Sequence, residues 1–258
     1  MKLFDSHCHL DDKSFCRDID VVINRAKDAG VDAVMIVGIT EKSSSKAVEL
    51  AETRPGIYAS VGIHPHDASS FSEKALANLK ELAVKPAVHA WGETGLDFNR
   101  MYSPRDDQEL SFKRQIEAAC ELNLPLIFHE RDSQGRFLEI LNAYKNQIQK
   151  GVVHCFSGNR EELKAYLDFG LYIGITGILT IKSRGEDLRR LVTMIPADQI
   201  LVETDAPYLT PAPEKNKTRR NEPAFVRSTL LKLAEVRGEE PEHLAEETWN
   251  NACRLYNI

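Results

Sequence analysis

Short apolar runs with strand character alternate along this chain with amphipathic stretches of helical period. The runs fall at Lys2–Asp5, Ala33–Gly38, Ile57–Ile63, Ala87–Glu93, Pro125–His129, Gly151–His154, Leu171–Ile175 and Ile200–Glu203. Helical patterns lie between them at Ile19–Ala29, Ser43–Thr53, Ser72–Leu82, Asp107–Leu122, Gly135–Tyr144, Glu161–Phe169 and Gly185–Met194. Strands joined by crossover helices pair in parallel, because a tight hairpin cannot connect them. Eight such units in 258 residues predict an α/β fold, a (β/α)8 TIM barrel, with residues 1–258 as one domain. A doubly wound open sheet is the competing arrangement, disfavoured because no Gly-x-Gly-x-x-Gly turn follows the first strand. A further helical segment, from about Pro223 to Tyr256, is expected to pack outside the barrel.

Composition narrows the class. A hydrophobic fraction of 42% supports an ordinary buried core. A formal charge of -6 does not mark a general nucleic-acid binder, although a local basic rim can serve a phosphate substrate. The one basic cluster, Lys215–Arg220, follows the last strand and is expected to be a loop on the active face, either simply solvated, as charge runs usually are, or contacting a nucleic-acid backbone. Cys8, Cys16, Cys120, Cys155 and Cys253 form neither a disulfide framework nor a Cys-x-x-Cys zinc module. They read as reduced thiols of a cytoplasmic protein, with Cys8 and Cys155 facing away from the histidines beside them. No apolar run has the length of a membrane span, and no signal peptide is seen at the N-terminus. A monomer is the default expectation.

The polar residues at the strand ends carry the chemistry. Asp5-Ser6-His7-Cys8-His9 ends the first run, so His7 and His9 share a face, with Asp5 one layer deeper. Two imidazoles so placed suit a catalytic metal ion. His64 and His66 follow the third strand, Glu93 ends the fourth, His129 the fifth and His154 the sixth, and Asp205 follows the eighth. The C-terminal face of a barrel is where such side chains converge. Their number suits two divalent ions. His7, His9, Glu93 and Asp205 can surround one; Glu93, His129 and His154 can surround the other, with Glu93 bridging. Such a pair can hold a hydroxide, lower the pKa of bound water and neutralise a phosphate. Asp205 and Glu93 are then the catalytic carboxylates, Asp205 also taking a proton from the attacking water. Zinc, manganese, iron and magnesium all suit such donors.

In order along the chain, Asp5-Ser6-His7-Cys8-His9-Leu10, Gly62-Ile63-His64-Pro65-His66, Gly92-Glu93-Thr94-Gly95-Leu96-Asp97, His129-Glu130-Arg131-Asp132, His154-Cys155-Phe156-Ser157-Gly158 and Glu203-Thr204-Asp205-Ala206-Pro207-Tyr208-Leu209 resemble the TatD-type metal-dependent deoxyribonucleases. The resemblance runs to Arg220-Asn221-Glu222-Pro223. It implies the amidohydrolase-like barrel and a divalent-metal nuclease acting on nucleic-acid phosphodiesters, with DNA or RNA as the partner and 3′-to-5′ exonuclease action as in some members. It also implies that His7, His9, Glu93, His129, His154 and Asp205 fill the metal positions. The chain differs at Asp97-Phe98-Asn99, where many relatives carry Asp-Tyr, and at Glu130, an unusual filler that adds a negative charge.

Other residues have narrower expectations. His64 and His66 would donate hydrogen bonds to a substrate phosphate, or merely shape the turn at Pro65. Arg131 would grip phosphate bidentately, or pair with Asp132 or Glu130. Glu203, two before Asp205, would support the metal shell, and Asp97 would orient a ligand. His89 and Trp91 read as barrel filling and His243 as surface. One alternative function is a small-molecule amidohydrolase, lactonase or phosphotriesterase on the same scaffold. A bridging carbamylated lysine would need a lysine at a strand tip, and none stands there. Another alternative is a non-catalytic metal-binding adaptor, against which an open donor shell argues.

Overall fold

The computed structural model describes residues 1–258. Eight parallel strands form one sheet in sequence order: β1 Leu3–Cys8, β2 Val31–Val37, β3 Ile57–Val61, β4 Val88–Asp97, β5 Leu126–Arg131, β6 Gly151–Val153, β7 Tyr172–Ile175 and β8 Ile200–Val202. The sheet closes on itself. Just past the last strand, Cys8 bridges Ala206 in parallel, Asp205 N–H donates to His7 O at 2.9 Å and His9 N–H to Ala206 O at 2.7 Å. The eight-stranded barrel expected from the alternation is therefore present, and the open sheet is not.

Ten helices surround it: α1 Ile19–Asp28, α2 Glu41–Glu52, α3 Glu73–Ala83, α4 Arg105–Glu121, α5 Arg136–Ala143, α6 Arg160–Phe169, α7 Glu186–Leu191, α8 Ala212–Lys215, α9 Val226–Arg237 and α10 Pro241–Tyr256. Their starts are written locally. Thr40 and Ser43 form a reciprocal capping box on α2, as do Asn159 and Glu162 on α6. Each such cap contributes about 1 kcal/mol by satisfying an orphan N–H. Gly170, at φ 91°, ends α6 in the left-handed conformation that glycine adopts without a Cβ clash.

The core has two layers. One lies between the sheet and the helices and includes Leu3, Ile36, Trp91, Phe112 and Phe128. The other fills the barrel with Phe4, Met35, Val37, Ala90, Ile127, Val152 and Leu201. As expected, α9 and α10 lie outside the strands. The last turn of α10 goes further: Ala252, Leu255 and Tyr256 join the inner layer, and Tyr256 OH donates to Ser6 O at 3.0 Å. The C-terminus thus stoppers the end opposite the strand tips. His89 sits there half-buried, its Nδ1 3.1 Å from Tyr256 O.

Strand β4 departs from simple alternation. Its pairing with β5 shifts register between Trp91 and Thr94, and a Cβ on Gly95 (φ 148°) would lie 1.9 Å from His129 O. The break turns Trp91 outward, where its indole N–H donates to Gln115 Oε1 of α4 at 3.1 Å. Trp91 is therefore not barrel filling, because the period-2 rule does not hold across a register shift.

Candidate metal centre

The strand tips bring the expected residues together. His7 Nε2 lies 3.3 Å from His9 Nε2 and 3.4 Å from Glu93 Oε2. His9 Nε2 lies 3.4 Å from Asp205 Oδ1, and His154 Nε2 lies 3.7 Å from the same oxygen. On the other side, His129 Nδ1 is 2.9 Å from Glu93 Oε1 and 3.1 Å from His64 Nε2. Glu93 therefore faces both groups, one oxygen to each. The donors that converge within 4.8 Å of one another are His7, His9 and Glu93; His7, His154 and Asp205; and His64, His66 and His129. His154 thus stands with His7, on whose ring it stacks at 3.4 Å, rather than with His129.

These separations fit a metal. Most exceed a hydrogen bond, yet donors about 2.1 Å from one tetrahedral ion stand roughly 3.4 Å apart. The chemistry of the set, imidazole nitrogens mixed with carboxylate oxygens, also suits a divalent cation. His7 Nδ1 is buried with no hydrogen-bond partner.

The residues around the donors hold them in place. His154 Nδ1 lies 2.7 Å from Glu203 Oε1, which also accepts from Cys155 N–H at 2.6 Å. His66 Nε2 and His129 Nε2 both approach Asp97 Oδ2, at 2.7 and 3.3 Å. The other Asp97 oxygen accepts from the Asn99 and Arg100 amides, which fixes the loop after β4. His9 Nδ1 lies 3.1 Å from Val37 O, leaving its Nε2 for the centre. Asp5 is wholly buried one layer below. Its carboxyl accepts from Thr204 N–H at 2.8 Å and lies 2.6 Å from Thr204 Oγ1, clasping β1 to the segment after β8.

The electrostatics follow from the packing. Burial opposes a charge on His9, but the Asp205 carboxylate outweighs it and raises the ring to about 9. Burial opposes His129 likewise, and Asp97 with Glu93 outweighs it, again to about 9. Burial pushes His64 down to about 4, with Glu93 only partly compensating. Burial disfavours the ionised Glu93, yet His64, His129 and His7 hold its carboxyl well below the usual range. Asp205 is also held low, against burial, by His9 and His154. Burial pushes the Asp5 carboxyl up to about 8.

Several side chains lie elsewhere than expected. Cys155 does not face away: β6 ends at Val153, and Cys155, at φ 48°, lines a cavity of about 570 Å³ together with His129, His154 and Asp205. The left-handed residue breaks the alternation that would have turned it outward. Arg131 lines the same cavity, free of both neighbouring acids: Glu130 accepts from the Ser133 N–H and hydroxyl, and Asp132 from Asn99 Nδ2. In the basic cluster, Lys215 ends α8, and Arg220 is tied to Asp18 and Glu222 at 2.7 and 2.9 Å. Arg100 and Arg184 also line the cavity. Nothing in sequence marks these two, since each sits in a loop whose path only the fold decides.

A model of the family described as TatD related DNase matches residues 4–257. A protein of Erwinia billingiae named 3′-5′ ssDNA/RNA exonuclease TatD is 44% identical over 259 residues, covering 99% of each chain. The crystal structure of a TatD homologue from Escherichia coli superposes with a TM-score of 0.90 at 27% identity, covering 99% of this chain and 98% of that one. A hydrolase of the TatD family from Entamoeba histolytica gives a TM-score of 0.88 at 25% identity, covering 99% and 98%. With its six motifs in register around one cage, the chain belongs to the TatD related DNase family.

Proposed function

We propose that this chain is a metal-dependent nuclease that hydrolyses the phosphodiesters of single-stranded nucleic acid from the 3′ end, with residues 1–258 acting as one catalytic unit. The observation that carries the reading is the placement of Glu93, whose two oxygens stand 3.4 Å from His7 and 2.9 Å from His129. His7, His9, Glu93, His129, His154 and Asp205 would hold two divalent ions, with Glu93 standing between the His7 side and the His129 side, together supplying positive charge to a phosphodiester and acidity to water.

The protein's own groups do the rest. Asp205, ionised and 15% exposed, turns one carboxylate edge to the cavity and accepts the proton of the attacking water. His64 and His66 border the centre from the turn after the third strand and donate to the phosphate, with His66 oriented by Asp97. Arg131 reaches the phosphate from the cavity wall. Glu203 and Asp97 keep the rings of His154 and His129 aimed. The names borne by the relatives, exonucleases of single-stranded DNA and RNA, supply substrate and polarity. The five free cysteines suit a reducing cytoplasm, and no helix is long and apolar enough to cross a membrane.

The test is cleavage of 3′-labelled and 5′-labelled single strands across magnesium, manganese and zinc, with a chelator control and a panel of small esters and lactones. Stepwise shortening from the 3′ end, lost with chelator, is expected. Turnover of the esters with the strands untouched would defeat the reading in favour of a small-molecule hydrolase.

A further inference from the structure

Two tyrosines stand over opposite sides of the centre with their rings in solvent. Tyr102 is 67% exposed and Tyr208 53% exposed. Isolated exposed aromatics are common and need no explanation. These two differ in where they point. The Tyr102 ring stands edge-on to His66, 4.7 Å between centroids, beside the group that contains His129. The Tyr208 ring stands at 6.0 Å and 65° to His9, on the Asp205 side.

The backbone under each ring is anchored. Next to Tyr102, the Ser103 hydroxyl donates to His66 O at 2.9 Å and accepts from Ser69 N–H at 3.0 Å, while Ser103 O accepts from Gln108 Nε2. Tyr208 N–H donates to Asp205 O at 2.8 Å, and Tyr208 O accepts from Asn221 Nδ2 at 2.6 Å. Both rings are therefore displayed by fixed loops while burying little, which suits a surface that gains its packing partner from outside.

The cavity beside the same centre has the matching charge. Some arginines of the chain are tied to acids, as Arg136 is to Glu109 and Arg25 to Glu222. Arg100, Arg131 and Arg184 instead line the cavity that opens beside His129 and His154. The acids on the same wall are already engaged: Glu130 by Ser133, Asp132 by Asn99 and Glu162 by the Asn159 amide. Free cations along a backbone track, with aromatic faces beside it, are how proteins hold single strands without reading sequence.

Resting on the nuclease reading above, we infer that Tyr102 and Tyr208 are positioning residues that stack the bases on either side of the phosphodiester being cut, with Arg100, Arg131 and Arg184 meeting the adjoining phosphates. Stacking needs a π face and no hydroxyl, so every base is accepted and a duplex, whose bases are already stacked, is not.

The experiment measures KM and kcat for Tyr102→Ala, Tyr208→Ala, Tyr102→Phe and Tyr208→Phe on a labelled single strand, and on the same strand with abasic residues at its 3′ end. Loss of one stacked base should raise KM roughly five- to hundredfold in each alanine variant, leaving kcat within about threefold. Phenylalanine should restore the wild-type KM. On the abasic strand wild type and alanine variants should coincide. An unchanged KM in both alanine variants, or an equal rise on the abasic strand, would overturn the inference while the nuclease reading stands. A wild type that cuts neither strand would overturn both.

Discussion

Glu203 Oε1 rests 2.7 Å from His154 Nδ1, in a hollow that exists because residue 174 is glycine: a Cβ there would meet the Glu203 carboxylate at 2.5 Å. Charge attraction across this contact, which is not aligned as a hydrogen bond, favours the ring orientation in which Nε2 faces Asp205. Groups of this kind orient a metal ligand and raise its basicity. Glu203→Gln is expected to weaken metal binding about ten- to hundredfold in a calorimetric titration, with the fold unchanged. Gly174→Ala should do the same by pushing Glu203 aside. Wild-type affinity in both variants would refute the orienting role.

In the proposed reaction Asp205 is the group on which turnover depends most directly. Asp205→Asn keeps the size of the side chain and removes the proton acceptor. Metal-dependent cleavage should fall by at least about a hundredfold, with the thermal midpoint little changed. Undiminished turnover would remove Asp205 from its assigned role.

Metal binding should release protons. Without metal, His9 and His129 are raised from 6.5 to about 9, so both carry protons at neutral pH. A ligating imidazole must be neutral, so loading at pH 7 should release at least about two protons, with His154, also raised, adding to them, and affinity should rise with pH up to about 9. The sign for the metal-free protein is opposite. A raised folded-state pKa contributes stability that is whole below pH 6.5 and lost as pH climbs through 9. Calorimetry in two buffers of different ionisation enthalpy counts the protons, and melting of the chelated protein at pH 6.5 and 9 checks the stability; zero release would contradict both.

Asp5 holds the barrel shut. It joins β1 to Thr204 through two short contacts, 2.8 Å to the amide and 2.6 Å to the hydroxyl, with no access to water. Asp5→Ala leaves the Thr204 amide buried and unpaired and the hydroxyl with only the Ala206 N–H as a partner, at a cost of about 2–3 kcal/mol. Asp5→Asn retains an acceptor and supplies a donor, and should cost less than about 1.5 kcal/mol. Urea denaturation of the two variants decides it: equal losses would mean that the contact with Thr204 is not what stabilises the closure.

Much of this was legible before any coordinates. The barrel follows from local patterns, since a strand and an amphipathic helix each declare themselves within about ten residues. The donor list was legible for the same reason: His7, His9, His64, His66, Glu93, His129, His154 and Asp205 all sit at or just beyond the strand ends read from sequence, and a barrel gathers its strand ends on one face. What local pattern could not supply was direction at the places where alternation fails. Trp91 points outward because β4 shifts register beyond it, and Cys155 points into the cavity because its backbone is left-handed.

The order of strand and helix and the chemistry of the tips were thus determined by the sequence itself, because both rest on residue type and spacing. Only the tertiary structure decided which tips share a space: His154 beside His7 and Asp205, His129 beside His64 and His66, and Glu93 between them. It also decided that Arg100 and Arg184 would meet Arg131 along one cavity, and that Tyr102 and Tyr208 would flank the centre. Such distances depend on strand register, closure and loop path, which are set by packing between segments far apart in the chain.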